Sequence, residues 1–372
     1  MRFVTFQFLD ELAEAGATGL KALATLSLLF LFLPPLLSGC DDRSEPPPSP
    51  VWSAPEPSAD DFDLPVIQQA GELIALTLSG PDTYYDYQGR HLGLHFLLCE
   101  EFAATLGVRL RMELCRDTAE MVSRLADGDG DLIAVRMTAD SLSAGWLVGP
   151  DKPLLDSALH QWFRPSMTAA TLARERRMLA QKKVQRRVYA PMLSKGVISH
   201  YDTWFKHYGR RIGWDWRLLA AQCYQESTFD PKARSWAGAQ GLMQIMPSTA
   251  DHLGLPREQL HDPERNIEAA TRYLQELETA FRDVPDRTER QNIVLASYNG
   301  GPHHIRDAMR LCRRDGRNAH RWADVRHYVL RLSEPRYYQD TLVKNGYMRG
   351  QETAEYVDRI RERFKRYRLS AR

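Results

Sequence analysis

One stretch, residues 220–250 (AAQCYQESTFDPKARSWAGAQGLMQIMPSTA), constrains this chain more than any other. Just before it, Trp214-Asp215-Trp216 sets an N-cap residue ahead of a periodic run, so a helix is predicted to start there. Leu218, Leu219, Gln222, Cys223 and Glu226 recur at three- and four-residue steps, which puts Glu226 on one face with Leu219, Gln222 and Cys223. A carboxyl at the end of an apolar stripe is partly desolvated, and near a helix C-terminus it meets the negative end of the helix dipole. Both effects favour the neutral form, which a general acid needs. Pro231 then predicts a turn, and Gly238 and Gly241 a loop whose backbone can approach a ligand closely. A second apolar segment follows, carrying Met243 and Gln244. The pattern predicts one acid in a groove, faced by a loop that can come close to a polymer.

Charge is nearly balanced, Lys+Arg 49 against Asp+Glu 48, so no overall field argues for nucleic acid as a partner. Residues 306–372 are Arg-rich, either solvated helix surface or a face for an acidic polymer. None of the five cysteines forms a CxxC pair or lies at zinc-ligand spacing, so neither a metal nor a cofactor is expected. His303-His304 reads as surface at a helix start. Cys99, Cys115, Cys223 and Cys312 read as small buried residues, although an oxidising compartment permits a bridge.

Length allows two domains plus connecting pieces. Residues 22–37 are strongly apolar but short of a comfortable membrane span of roughly 20 residues. They end in Leu37-Ser38-Gly39-Cys40, which resembles a bacterial lipoprotein signal. That resemblance implies removal of residues 1–39 and lipid on Cys40. Residues 40–68, rich in Pro, Ser and acid, then read as a tether.

From Gly71 the pattern changes. Residues 72–78 read as a buried strand, 80–89 as a turn-rich loop, and 92–107 as a helix. Residues 108–114 read as a strand, 117–126 as a helix and 131–138 as a strand. This βαβαβ order predicts a small α/β layer with a parallel sheet. The opening strand, TYYDYQG and LADGDGDLIAVRMT resemble the first lobe of the periplasmic amino-acid-binding proteins. In that family a second lobe follows, and ligand sits between the lobes. Here the chain goes almost at once to PLLDSALHQWF, which resembles the return into the first lobe, so the second lobe is expected to be missing. A half-cleft cannot close over an amino acid. Contact with a muropeptide or a protein, or simple spacing from the membrane, are the alternatives.

Beyond residue 194 no strand alternation is convincing, so a mainly α domain is expected. Glu226-Ser227, with Phe229, Pro231, Ala233, Ser235 and the run GAQGLMQIMP, closely resembles the signature of the soluble-lytic-transglycosylase family. Further on, Ala296-Ser297-Tyr298-Asn299-Gly300-Gly301 and Gly346-Tyr347-x-Arg349-Gly350-x-Glu352 with Tyr356-Val357 resemble that family's later motifs, in the family order. The resemblance implies a lysozyme-like fold. The expected fold class is therefore α+β and multidomain: a truncated solute-binding-protein-like α/β half at 69–165, a linker at 166–193, and a lysozyme-like domain at 194–372.

The resemblance also implies the chemistry and the partner, peptidoglycan glycan strands. Most glycosidases use two carboxylates. Around Glu226 no second is evident, since Asp230 and Asp262 each precede a proline and read as turn or cap residues. One carboxyl then serves twice. Glu226 protonates the bond between N-acetylmuramic acid and N-acetylglucosamine and then takes the C6 hydroxyl proton. The product is a 1,6-anhydromuramyl end, with no water consumed. By resemblance Gln244 and Met243 line the groove, though Met243 between Leu242 and Ile245 also reads as core. Tyr298 holds either the acid or the acetamide, and Asn299 binds substrate or fixes a turn. Ser227 and Ser235 are candidate hydrogen-bonding residues. Tyr356 and Glu352 belong either to the groove or to structural contacts. A periplasm-facing lipoprotein is implied; the resemblance points to the outer membrane, and Asp41 beside the lipid site to the inner. The rival readings are a lysozyme-like hydrolase, a non-catalytic wall-binding lipoprotein and a solute sensor.

Overall fold

The computed structural model describes residues 63–139, 143–180 and 196–370. The signal-like segment, Cys40 and most of the tether lie outside these residues. The described part starts on Asp63, which is fully buried. Its carboxylate caps helix α1 (Leu64–Ala70) by accepting from the Leu64 N–H at 2.7 Å. It also accepts from the N–H groups of Leu154 and Leu155, at 2.6 and 3.0 Å, in the first turn of α4 (Pro153–Trp162). Helix N-termini leave orphan donors and carry partial positive charge. One carboxylate thus serves two helix ends, and α1 begins inside the stretch read as tether.

Strand β1 (Glu72–Thr77) is an inner strand of a four-stranded sheet. It pairs in parallel with β4 (Arg109–Leu114), from Glu72 opposite Arg109 to Thr77 opposite Leu114, and with β5 (Leu132–Ile133). The short β6 (Leu147–Val148) closes the other edge, antiparallel to β5. Helices α2 (Leu94–Leu106) and α3 (Thr118–Ala126) make the crossovers, as the βαβαβ reading requires. The last expected strand, 131–138, is paired over two residues only.

The stretch 80–89 departs from expectation. It is not a plain loop, because β2 (Tyr85–Tyr87) pairs antiparallel with β3 (Arg90–Leu92), Tyr85 opposite Leu92. The turn between them, Gln88-Gly89, has φ of 50° and 76°. Two left-handed residues are what a tight hairpin turn requires, and Gln is a weak marker for that conformation. Helix α5 (Pro165–Ala180) follows in the stretch read as linker. Its buried Glu175 accepts from the Tyr85 hydroxyl at 2.9 Å and the Gly93 N–H at 3.1 Å, which fastens the hairpin to the helix.

The rest of the described chain is helical, as expected: α6 (Asp202–Ile212), α7 (Trp216–Ser227), α8 (Pro247–Leu253), α9 (Pro263–Ala280), α10 (Arg287–Gly300), α11 (Pro302–Arg314), α12 (Trp322–Arg331), α13 (Pro335–Tyr338) and α14 (Gly350–Ser370). They enclose one continuous apolar core that includes Phe205, Leu218, Phe281, Leu295, Val325 and Ile360, all fully buried. Helix α7 lies in this core between α6 and α14. The four described cysteines are free and buried. Asp307 is likewise fully buried and accepts from the N–H groups of Lys344 and Asn345, which pins the segment leading to α14.

Candidate active site

Asp215 caps α7 by accepting from the Arg217 N–H at 3.0 Å, as its position predicts. Leu219, Gln222, Cys223 and Glu226 are all buried, so the shared face is real. Glu226 is only 6% exposed yet lines a cavity of about 410 Å3. The Tyr356 hydroxyl, from α14, donates to Glu226 Oε1 at 2.6 Å. Burial, and then the nearby Glu226, push the Tyr356 hydroxyl well above the usual phenol range. Tyr356 therefore stays protonated and remains a donor at any working pH.

Just after the acid the backbone turns through two left-handed residues, Thr228 and Phe229, at φ 55° and 63°. Gln244 and Gln88 share this conformation, at 52° and 50°, and both line the cavity. Four of the five such non-glycine residues among the described ones thus lie at or beside the site. Each costs on the order of 1–3 kcal/mol and persists only where surrounding contacts fix it. The Phe229 ring, 1% exposed and packed edge-on against Tyr224, supplies such contacts. Gly241 has φ 80°, and a Cβ there would lie 2.3 Å from the Leu260 carbonyl oxygen. Only glycine fits this turn.

Of the residues singled out in the sequence, Ser235, Gln244, Tyr298 and Asn299 line the cavity with Glu226. Ser235 Oγ accepts from the Ala239 N–H at 2.9 Å, and the Gln244 amide donates to the Gly241 and Ala233 carbonyls at 3.0 and 3.2 Å. These bonds shape the loop from within. Asn299 Oδ1 accepts from the Thr353 hydroxyl at 2.8 Å. The Tyr298 hydroxyl donates to the Met243 carbonyl at 2.8 Å, whereas the tyrosine that donates to Glu226 is Tyr356. Met243 is 1% exposed, in the core, and absent from the lining. Ser227 is buried and turns back on its own helix, donating to the Cys223 carbonyl at 3.3 Å. Asp230 accepts from the Lys232 N–H and Asp262 from the Arg265 N–H, so both are the turn and cap residues expected.

The sequence reading missed the hairpin. Asp86, Tyr87, Gln88, Gly89 and His91 line the cavity beside residues of the helical domain. The motif TYYDYQG was visible, but nothing local says that it reaches a helix start 265 positions away, where the Tyr87 hydroxyl donates to Glu352. His303 and His304 line the cavity too, His304 buried. Besides Glu226, the carboxylates in the lining are Asp86 and Glu352. Asp86 is paired with His91 at 2.5 Å and Glu352 with Tyr87.

A family model described as "Transglycosylase SLT domain" matches residues 203–320. The chain is 36% identical over 185 residues to "Membrane-bound lytic murein transglycosylase F" of Desulfosudis oleivorans, covering 48% of this chain and 37% of that relative. The aligned region thus spans just over a third of the relative's length. The protein of the same name from Maricaulis maris is 28% identical over 455 residues, covering 91% of this chain and 96% of its own. That alignment is longer than this chain, so the relative carries residues with no counterpart here. The crystal structure of the 70 kDa soluble lytic transglycosylase of Escherichia coli is 29% identical over 45% of this chain and 24% of its own, with a TM-score of 0.31. The helical domain built around Glu226 thus holds a stretch, residues 203–320, that is similar to the Transglycosylase SLT domain family.

Proposed function

We propose that the chain is a peptidoglycan lytic transglycosylase that cleaves between N-acetylmuramic acid and N-acetylglucosamine and leaves 1,6-anhydromuramyl ends. The observation that carries this reading is a single buried acid, Glu226, that is oriented by Tyr356 and lines a cavity. The family match and the relatives' names support it.

Tyr356 fixes Oε1, so the carboxyl presents its other oxygen in a defined direction. Glu226 delivers a proton from there to the glycosidic oxygen. As a carboxylate it keeps the Tyr356 hydrogen bond, which is worth more to the charged form than to the neutral one. It then takes the C6 hydroxyl proton while that oxygen closes on C1. A hydrolase would need a second carboxylate to activate water or attack the sugar. Asp86 and Glu352 are the lining candidates, and each is already engaged. Ser235, Gln244, Tyr298 and Asn299 are the wall residues within reach of sugar hydroxyls or acetamides.

The same proposal places the enzyme at the wall. Residues 69–165 are half of a periplasmic-binding-protein fold, supported by the parallel order β4-β1-β5 and by the quick passage from β5 to β6. The unmatched residues of the Maricaulis relative agree with a lobe missing here. Cys40 carries lipid, and the chain faces the periplasm from a membrane; the relatives' names support membrane association.

Purified full chain, incubated with cell-wall sacculi, is expected to release muropeptides with anhydro ends, read by mass spectrometry. Products with reducing muramic ends would overturn this reading in favour of hydrolysis.

A further inference from the structure

The hairpin β2–β3 touches two separate elements that line the cavity. On one side, the Tyr87 ring stacks near-parallel on Trp236 at 5.9 Å. Its turn rests on Met246, so closely that a Cβ on Gly89 would come 2.8 Å from the Met246 methyl. Both contacts belong to the segment between α7 and α8. On the other side, the Tyr87 hydroxyl and the Gln88 amide both donate to Glu352 at the start of α14, the latter at 3.3 Å. The Arg349 guanidinium also lies 5.1 Å from the Tyr87 ring centroid.

The hairpin is also firmly held. Tyr85 and Gly93 are tied to buried Glu175. The Tyr85 ring meets Tyr347 edge-on at 5.2 Å, and the Tyr347 N–H donates to Ser79 at 2.8 Å. Tyr85, Tyr87, Leu92, Phe96 and Leu97 form a small buried core that Trp236 and Tyr347 complete. A segment with this much buried apolar surface and paired backbone is a fixed part of the fold.

We propose that this hairpin is the end wall of the glycan site and restricts cleavage to chain ends. The proposal rests on the transglycosylase reading for its substrate. A strand of sugars cannot continue through the space where Tyr87, Gln88 and Gly89 bridge Met246, Trp236 and Glu352. The cavity of about 410 Å3 sits toward the small end of the roughly 300–1,000 Å3 typical of small-ligand sites. It suits a few sugars better than a polymer passing through. The α/β layer is therefore a specificity element of the active site, with Tyr87 and Gln88 setting how many sugars fit between the wall and Glu226.

The test compares the full chain with Tyr87→Ala/Gln88→Ala on long glycan strands at early digestion. The unaltered chain is expected to yield a severalfold excess of short anhydro products, with the remaining strands little shortened. The double variant should shift early products severalfold toward longer anhydro oligomers. Long oligomers from the unaltered chain at early times would overturn the proposal. So would a variant that only speeds release without changing product length, since the hairpin would then be an inhibitory lid.

A binding series removes the dependence on turnover and on the variant's folding. With Glu226→Gln, affinity for β-1,4-linked N-acetylglucosamine oligomers should level off at short length. A continued rise with length would overturn the end wall. Levelling-off combined with reducing-end products would leave the wall in place and sink the transglycosylase chemistry instead.

Discussion

The helical domain and the α/β layer bury their side chains in different ways. The helical domain has one continuous core, and Glu226 is set on a helix inside it. The α/β layer divides its apolar side chains among three small clusters, and the hairpin's cluster is completed by Trp236 and Tyr347 of the other domain. A large core can hold a carboxyl 6% exposed and a left-handed Phe229 beside it. A small layer cannot bury its own hairpin and must dock it. The difference teaches how function divides: the rigid core orients the acid, and the borrowed hairpin bounds the space in front of it.

Substitutions that leave the helical core untouched but change the acid separate chemistry from fold. Glu226→Gln should lower anhydro-product release by at least about 1,000-fold, since the proposed mechanism uses the group both as acid and as base. Its thermal unfolding should stay close to that of the unaltered chain. Retained activity would break the assignment. Tyr356→Phe keeps the ring in the core and removes the hydrogen bond to Glu226. A lost bond to a charged group is worth about 1.5–3 kcal/mol. Steady-state turnover should therefore fall roughly 10- to 100-fold.

Local legibility explains why one of these residues was plain in the sequence and the other was left open. Glu226 sits in a periodic run with a cap before it and a glycine loop after it, all within about 35 positions. Tyr356 lies 130 positions further on, and nothing in its own helix says that its hydroxyl meets the acid. Met243 and Ser227 show the opposite failure. Both sit inside the signature, yet both side chains turn into the core or back onto their own helix. A motif marks a neighbourhood, and packing decides which side chains in it face the cavity.

The α/β layer should respond to changes that the helical core ignores. Asp63→Ala removes the cap of α1 and the acceptor for Leu154 and Leu155 at α4. A loss of about 2 kcal/mol is expected from the cap and the stranded donors together. Hydrogen exchange should rise in β1 and α4 while α7 stays protected. Equal exposure of both regions would mean that the two parts unfold as one.

A separate effect, confined to acid conditions, concerns pH. His95 is buried, and that burial, then Arg136, hold its imidazole down at about 4 from a usual 6.5. Its Nδ1 accepts from the Trp146 indole at 2.8 Å, so the neutral ring is the one that fits. An unfolded chain takes up the proton first. The stability from this group is therefore present in full above pH 6.5 and is lost as pH falls toward 4. The change is on the order of 3 kcal/mol. His95→Gln retains an acceptor for Trp146 and should flatten that part of the stability-against-pH curve, measured by denaturant unfolding between these limits.

What the sequence determined by itself is local and periodic. It set the capped helix that carries Glu226, the proline turn and glycine loop after it, and the parallel β-α-β order of the smaller layer. These follow from side-chain spacing and backbone preference within a few turns of chain. Only the tertiary structure decided that Tyr356 holds the acid and that TYYDYQG forms a hairpin against Met246, Trp236 and Glu352. It also decided that Met243 faces inward. Those outcomes depend on which distant surfaces bury one another, and burial of apolar area is non-directional until the whole chain is packed.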